Sequence, residues 1–117
     1  MFLNLLLVGL GGAAGSILRY LCQRSLNVGF PFGTQMVNIL GCFLIGLLWG
    51  LSFRGLDEPK KLLWITGFCG GFTTFSAFTQ EGLVLMEAQR WVLFLIYISA
   101  SVVCGLVATY AGYKLSS

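Results

Sequence analysis

Four long apolar segments, joined by short polar connections, limit what this chain can fold into. The segments cover roughly residues 2–21, 32–53, 62–85 and 91–113, and each is near the ~20 residues that a helix needs to cross the hydrocarbon core of a bilayer. Hydrophobic residues make up 57% of the chain and charged residues only 9%, which excludes an ordinary soluble domain. We therefore predict an all-α membrane protein in which residues 1–117 form a single four-helix transmembrane domain.

The first apolar segment differs from a secretory signal peptide in two ways. No basic residue precedes it, and its apolar run continues past Gly15 to Leu21, further than the short apolar region of a signal peptide. We predict that it is retained as the first membrane helix.

Several function classes are disfavoured by composition. The four cysteines show no CxxC spacing and the chain has no histidine, so we predict that the cysteines form neither a metal centre nor a disulfide, and we interpret them as small packing residues. The net charge of +3 does not indicate nucleic-acid binding. No nucleophile and base pair is visible, so we do not expect an enzyme.

The basic residues give almost no preferred orientation in the membrane. Four lie on the side of the chain termini and the second connection, and three lie on the opposite side: Arg54, Lys60, Lys61 and Lys114 against Arg19, Arg24 and Arg90. Because the two numbers are nearly equal, the positive-inside rule does not predict which side of the protein faces the cytoplasm. Insertion in both orientations would allow an antiparallel dual-topology homodimer; the alternative is one orientation set weakly by the Lys60 and Lys61 pair.

The third segment contains an unusual run, GFCGGFTTFSAF, over residues 67–78. Gly67, Gly70 and Gly71 weaken a helix, each by about 1 kcal/mol relative to alanine, and the hydroxyls of Thr73 and Thr74 can satisfy loosened backbone groups. We therefore predict a helix that is broken in the middle of the membrane, an arrangement that commonly builds ion sites from backbone groups.

Three phenylalanines, Phe72, Phe75 and Phe78, recur every third residue in this run. A stripe of this kind is most often a core-facing or lipid-facing surface. The electropositive edge of a phenylalanine ring also attracts anions without carrying a full charge. Interleaved with Ser76 and Thr79, the rings would form the wall of an anion pore.

Three polar side chains lie within or near the predicted membrane helices, where a polar group needs a hydrogen-bond partner or contact with water. Asn38 lies about 6 Å inside the second helix, counted from Thr34 at 1.5 Å per residue, and its amide either bonds to another helix or points at a bound anion. Arg19 either snorkels to the interface or faces a water-filled vestibule. Glu81 has the same two alternatives.

The fourth segment carries a line of hydroxyls. Tyr97, Ser101 and Thr109 are spaced at four and eight residues, which places them on one helical face about 18 Å long. A single serine or threonine in a membrane helix often bonds to its own preceding turn, but a whole line favours a polar path.

Taken together, the motifs GGAAGSILRY, GTQMVNILGCFLIG and GFCGGFTTFSAFTQE give a sequence that resembles the Fluc (CrcB) family of fluoride ion channels over its full length. The resemblance implies an antiparallel dual-topology homodimer with two pores in the plasma (cytoplasmic or inner) membrane. It also implies passive, selective export of fluoride.

The resemblance further implies roles for individual residues. Phe75, Phe78 and Asn38 match the pore residues of the family, and the backbone carbonyls of Gly70 and Thr73 match those that hold a structural sodium ion, Na⁺, at the dimer axis. The remaining matches are the polar track and its surroundings: Tyr97, Ser101, Thr109, Thr34, Ser76, Arg19 and Glu81. Gly105 departs from the family pattern, because some members have a further hydroxyl there.

Two other hypotheses about function remain. A small four-helix multidrug exporter is also built from short chains as an antiparallel dimer, but it needs a membrane-embedded carboxylate to couple protons, and the first helix offers Asn4 and Arg19 instead. A non-transporting assembly subunit would use the Gly11 and Gly15 pair for helix packing, and it leaves the aromatic and hydroxyl lines unexplained.

Overall fold

The computed structural model describes all 117 residues and contains four helical spans long and apolar enough to cross a membrane. The prediction of an all-helical, four-span membrane protein is therefore confirmed. The third span, Glu58–Glu87, is composite. In chain order the helices are α1 (Phe2–Leu26), α2 (Phe32–Ser52), α3 (Glu58–Lys61), a π-helical segment (Leu62–Cys69), α4 (Gly70–Phe72), α5 (Phe75–Glu87) and α6 (Trp91–Ser116).

Helix α1 is longer than the apolar pattern predicts. It continues through the polar residues after Leu21 and ends at Leu26. The connection to α2 is therefore shorter than predicted. It is a tight antiparallel turn of two two-residue strands, β1 (Asn27–Val28) and β2 (Phe30–Pro31). Gly29 forms the turn with φ +76°, a conformation that glycine adopts without steric cost. The last turns of α1 stay helical because, as described below, their polar side chains have partners inside the protein.

The first half of the third span packs against α1 through glycines on both helices. An ideal Cβ placed on Gly11 would lie 2.9 Å from the backbone nitrogen of Phe68, and one placed on Gly15 would lie 2.8 Å from that of Phe72. Gly67 faces Gly11 in the same way, with 3.0 Å from its ideal Cβ to the Gly11 Cα. Lipid provides no hydrophobic force between helices, so close van der Waals packing at small residues holds the two helices together instead.

Glycines also bring α2 and α6 together. The ideal Cβ of Gly46 would collide with the backbone of Thr109, and that of Gly112 would lie 2.8 Å from the nitrogen of Leu47. Near the ends of the two helices, Gly50 packs against the buried Ser116. The fold thus consists of two close helix pairs, α1 with the π-helical segment and α2 with α6.

The interruption of the third span lies at Thr73 and Thr74 rather than at the glycines. Both threonines are extended, with φ −88°, ψ 156° and φ −150°, ψ 115° respectively, whereas Gly70 is helical with φ −61° and ψ −37°. The expectation that glycines make the break was wrong in position. Gly67 and Gly71 instead permit the close approach to α1 described above, and Thr74 caps α5 by accepting a 3.1 Å hydrogen bond from the Ala77 amide.

The two glycines Gly15 and Gly9 give a matched test of this packing. Gly15→Ala is expected to destabilise the protein by about 1–3 kcal/mol, because the new methyl group meets backbone atoms that cannot move aside. Gly9 has nothing within 4 Å of its ideal Cβ, so Gly9→Ala should stabilise α1 by up to about 1 kcal/mol. Thermal unfolding in detergent measures both, and equal shifts for the two variants would contradict the packing.

Candidate functional site: a polar break between two grooves

An open groove of about 440 Å³ lies beside the interruption of the third span. We call it the central groove. Its walls come from α2, the third span and α6, and its lining includes Asn38, Gly41, Cys42, Cys69, Gly70, Thr73, Thr74, Phe75, Phe78 and Ser101. Most of this lining is apolar, so the few polar groups that converge on it act at low dielectric, where hydrogen bonds are strong and unpaired groups are costly.

Asn38 holds the extended backbone at Thr74 with two hydrogen bonds. Its side-chain Nδ2 donates to the Thr74 carbonyl at 3.1 Å, and its Oδ1 accepts from the Thr74 amide at 2.7 Å. The pair replaces the helical bonds that an extended residue loses, so no backbone group at Thr74 is left unpaired at membrane depth. One N–H of the Asn38 amide remains for another acceptor.

The three phenylalanines separate at the break. Phe72 is 6% exposed and stacks on Phe68 with ring centroids 5.7 Å apart. Beyond the extended threonines, Phe75 is 76% exposed and lies 5.8 Å from the Phe78 ring. Phe72 therefore belongs to the interior, whereas Phe75 and Phe78 line the central groove.

The hydroxyls of α6 are divided among different surroundings. Tyr97 is completely buried, with its ring 5.2 Å from that of Phe78. Ser101 lines the central groove, and its buried Oγ has no hydrogen-bond partner. Thr109 lies in a separate groove with Trp49 and Tyr110. Within one chain, the line expected from spacing is therefore not one continuous surface.

A second, more polar groove of about 490 Å³ adjoins the break. We call it the outer groove. It contains three of the predicted residues, Arg19, Ser76 and Glu81, and Thr74 lines both grooves. The outer groove therefore meets the central groove at the extended backbone.

Arg19 points into the outer groove rather than away from the protein. Its Nε donates to the Gly71 carbonyl at 3.0 Å, and its Nη1 donates to Oε1 of Gln23 at 3.2 Å. Gln23 in turn donates to the buried Thr34 hydroxyl at 2.8 Å. Arg19 therefore lines the outer groove, and its guanidinium supports a carbonyl just before the break.

Glu81 accepts three hydrogen bonds from different parts of the fold. Thr34 donates through its hydroxyl at 2.8 Å and Asn27 through Nδ2 at 3.0 Å, both to Oε1. The Tyr97 hydroxyl donates to Oε2 at 3.1 Å. The carboxylate thus ties α5 to α6, to the start of α2 and to the short turn that precedes it.

Removing the Glu81 carboxylate should destabilise the protein measurably. Glu81→Ala leaves the buried Tyr97 hydroxyl without its acceptor and releases Asn27, and such a loss costs about 1–3 kcal/mol. Glu87, exposed at the end of the same helix, is the matched control, and Glu87→Ala should stay within about 0.5 kcal/mol of the parent. Unfolding in detergent compares them; equal stabilities would show that the network contributes nothing.

Sequence reasoning missed Gln23 and Asn27, both of which take part in this network. A signal was present, because Arg19, Gln23 and Asn27 recur every four residues and such residues share one helical face. The polarity of Gln23 and Asn27 marks the end of the apolar segment, so the hydropathy pattern alone predicts that these two residues lie in the connection to the second helix.

Two carbonyls at the break lack their usual helical donors. The Thr74 amide, which would serve the Gly70 carbonyl in a continuous helix, donates to Asn38. The Ala77 amide, which would serve Thr73, donates to the Thr74 hydroxyl. Gly70 is exposed and has nothing within 4 Å of its ideal Cβ. Carbonyl oxygens without a hydrogen-bond donor are ligands of the type that a hard cation prefers.

Comparison with known proteins gives a consistent result. Residues 6–113 match the family model described as CrcB-like protein, Camphor Resistance (CrcB). A relative from Azobacteroides pseudotrichonymphae, named as a fluoride-specific ion channel, is 43% identical over 99% of this chain and 98% of its own length. One of the same name from Leptospira interrogans is 45% identical over 93% of this chain and 91% of its own, and one from Phocaeicola vulgatus is 43% identical over 97% and 98%. The chain belongs to the CrcB-like protein family.

Proposed function

We propose that this protein is a fluoride-selective ion channel. The observation that carries the proposal is the central groove, where the Asn38 amide and the rings of Phe75 and Phe78 meet beside a break in a membrane-spanning helix. The family relatives described above carry the name of fluoride-specific ion channels over nearly the whole chain.

The groups in the groove suit a small, strongly hydrated anion. Fluoride gives up its water only where close hydrogen-bond donors replace it, and the free N–H of Asn38 and the unpartnered Ser101 hydroxyl are such donors. Phenylalanine ring edges add a weak positive potential without a fixed charge that would trap the ion. The proposed pore residues are Phe75, Phe78, Asn38, Tyr97, Ser101, Thr109, Ser76 and Thr34, with Arg19 and Glu81 in the vestibule.

Passive flow is sufficient for fluoride export. Hydrogen fluoride enters a cell as a neutral acid and dissociates near neutral pH, so fluoride accumulates as an anion in the cytoplasm. A membrane potential that is negative inside drives the anion out through an open channel, and no energy-coupling group is needed. We place the protein in the inner (plasma) membrane, where this gradient exists.

We further propose an antiparallel dual-topology homodimer with two pores. The nearly equal numbers of basic residues on the two sides support insertion in both orientations. The central groove is open along one side, and Phe75 is 76% exposed there. A second copy of the chain would close the groove and cover that ring.

A structural sodium ion at the dimer axis completes this proposal. Gly70 and Thr73 would supply carbonyl oxygens, the ligand type that hard cations prefer, and both carbonyls lack their usual helical donors as described above. The ion would fix two broken spans against each other. Crystals of the dimer should show a site on the two-fold axis with short oxygen contacts; long, water-like contacts there would contradict a sodium ion.

Fluoride efflux from liposomes that contain the purified protein is the direct test. A fluoride electrode should record rapid release after the membrane potential is short-circuited, and a parallel chloride measurement should record little. No fluoride release, or equal release of both ions, would overturn the proposal. Transport of organic cations coupled to protons would instead identify a multidrug exporter, and no transport of either kind would favour an assembly subunit.

A further inference from the structure

We propose that Cys42 and Cys69 form a two-sulfur site for Hg²⁺, a soft divalent cation, inside the central groove. Cys42 lies on α2, and Cys69 is the last residue of the π-helical segment. Both are free thiols and both line the groove. Local sequence does not indicate such a pair, because the two residues are far apart in the chain and follow no metal-binding spacing.

The two thiols lie on different walls of the same groove, Cys42 on α2 and Cys69 on the third span. Cys69 is 3% exposed and held by its helix, and the Cys42 sulfur lies on the side of α6, where it would be 3.4 Å from an ideal Cβ on Gly105. The absence of a side chain at Gly105 leaves room around this sulfur.

The chemistry favours a thiophilic divalent ion. Thiolate sulfur is a soft ligand, and Hg²⁺ is satisfied by two thiolates in a linear arrangement, so no third ligand is needed. Each thiol loses its proton to water as its sulfur–metal bond forms. The resulting complex of one Hg²⁺ and two thiolates has no net charge, which suits an apolar groove where a charged complex would be penalised.

Metal binding at this site should stop ion flow, an expectation that rests on the proposed channel function. The two cysteines share the groove with Asn38 and Phe78. A metal held between α2 and the third span would occupy the space that we assign to the anion. Mercury should therefore inhibit fluoride efflux by binding inside the central groove, and not only by nonspecific reaction with the protein.

Binding is tested without reference to transport. The parent for this experiment is the double variant Cys22→Ser and Cys104→Ser, whose remaining thiols are Cys42 and Cys69. Purified in detergent and exposed to mercuric chloride, it should bind one mercury per chain, protect both thiols from N-ethylmaleimide, and show two sulfur neighbours by X-ray absorption. Adding Cys42→Ala or Cys69→Ala should abolish the two-sulfur signature. One sulfur neighbour, one mercury shared by two chains, or binding unchanged by either alanine variant would overturn the site.

The transport measurement then separates the two proposals. Mercuric chloride should abolish fluoride efflux in the double variant. When Cys42→Ala and Cys69→Ala are both added, the efflux rate should be the same with mercury as without it. Inhibition that persists in the cysteine-free protein would overturn the inhibitory role. If the protein binds mercury between two sulfurs yet conducts no fluoride in any form, the site stands and the channel proposal fails.

Discussion

Replacing Asn38 with aspartate is expected to abolish fluoride efflux from proteoliposomes. The carboxylate keeps an acceptor for the Thr74 amide but loses the Nδ2 donor, so one of its oxygens faces the Thr74 carbonyl in place of the present 3.1 Å hydrogen bond. The variant also places a negative charge at membrane depth, at a cost of about 3 kcal/mol on insertion scales, in the path proposed for an anion.

Two further variants separate the effects of charge and of hydrogen bonding. Asn4 is exposed in the first turns of α1, so Asn4→Asp makes the same chemical change away from the groove and should conduct like the parent. Asn38→Leu removes both bonds to Thr74 without adding a charge, and it should also lose efflux because the extended backbone is no longer held. Gel filtration monitors whether each variant stays folded. Parent-like efflux in Asn38→Asp would remove Asn38 from the pore.

Phe75→Ile is expected to remove fluoride efflux while leaving the fold intact. Phe75 is 76% exposed in the single chain, so isoleucine loses few packing contacts there. What it lacks is the electropositive ring edge, and with it the contact to the Phe78 ring at 5.8 Å. If ring edges hold the anion, an aliphatic side chain of similar hydrophobicity cannot substitute.

Phe2 provides the matched control for Phe75. It is 79% exposed at the beginning of α1, so Phe2→Ile should conduct at the parent rate. The fluoride electrode reads efflux, and thermal unfolding reports stability. Normal efflux in Phe75→Ile would assign this ring to the lipid-facing or partner-facing surface, the alternative that its spacing alone also allows.

The sequence predicts the membrane spans well because their length and hydrophobicity are set by the bilayer itself. It places the interruption of the third span wrongly because glycine has two uses in a membrane helix, weakening it or allowing a neighbour to approach. Gly67 and Gly71 serve the second use. Only the position of α1, which the local sequence does not reveal, distinguishes the two.

The candidate site was predictable as residue types but not as an arrangement. Asn38 and Phe75 stand out in apolar segments, and the family resemblance gives them roles. The bonds between Asn38 and Thr74 join residues on different spans, and no local spacing indicates them. The same holds for Glu81, whose partners come from three other parts of the chain.

The bonds that hold the extended threonines also bear on how quickly ions can pass. The Thr74 backbone is bonded to Asn38 on a neighbouring helix, and the Thr74 side chain caps α5, so we expect that no segment has to swing or unwind for each ion. Throughput is then set by loss of water from the ion and by its diffusion. We expect efflux to rise with temperature about as gently as ionic mobility in water, without the steep dependence of a carrier that must change shape at every cycle.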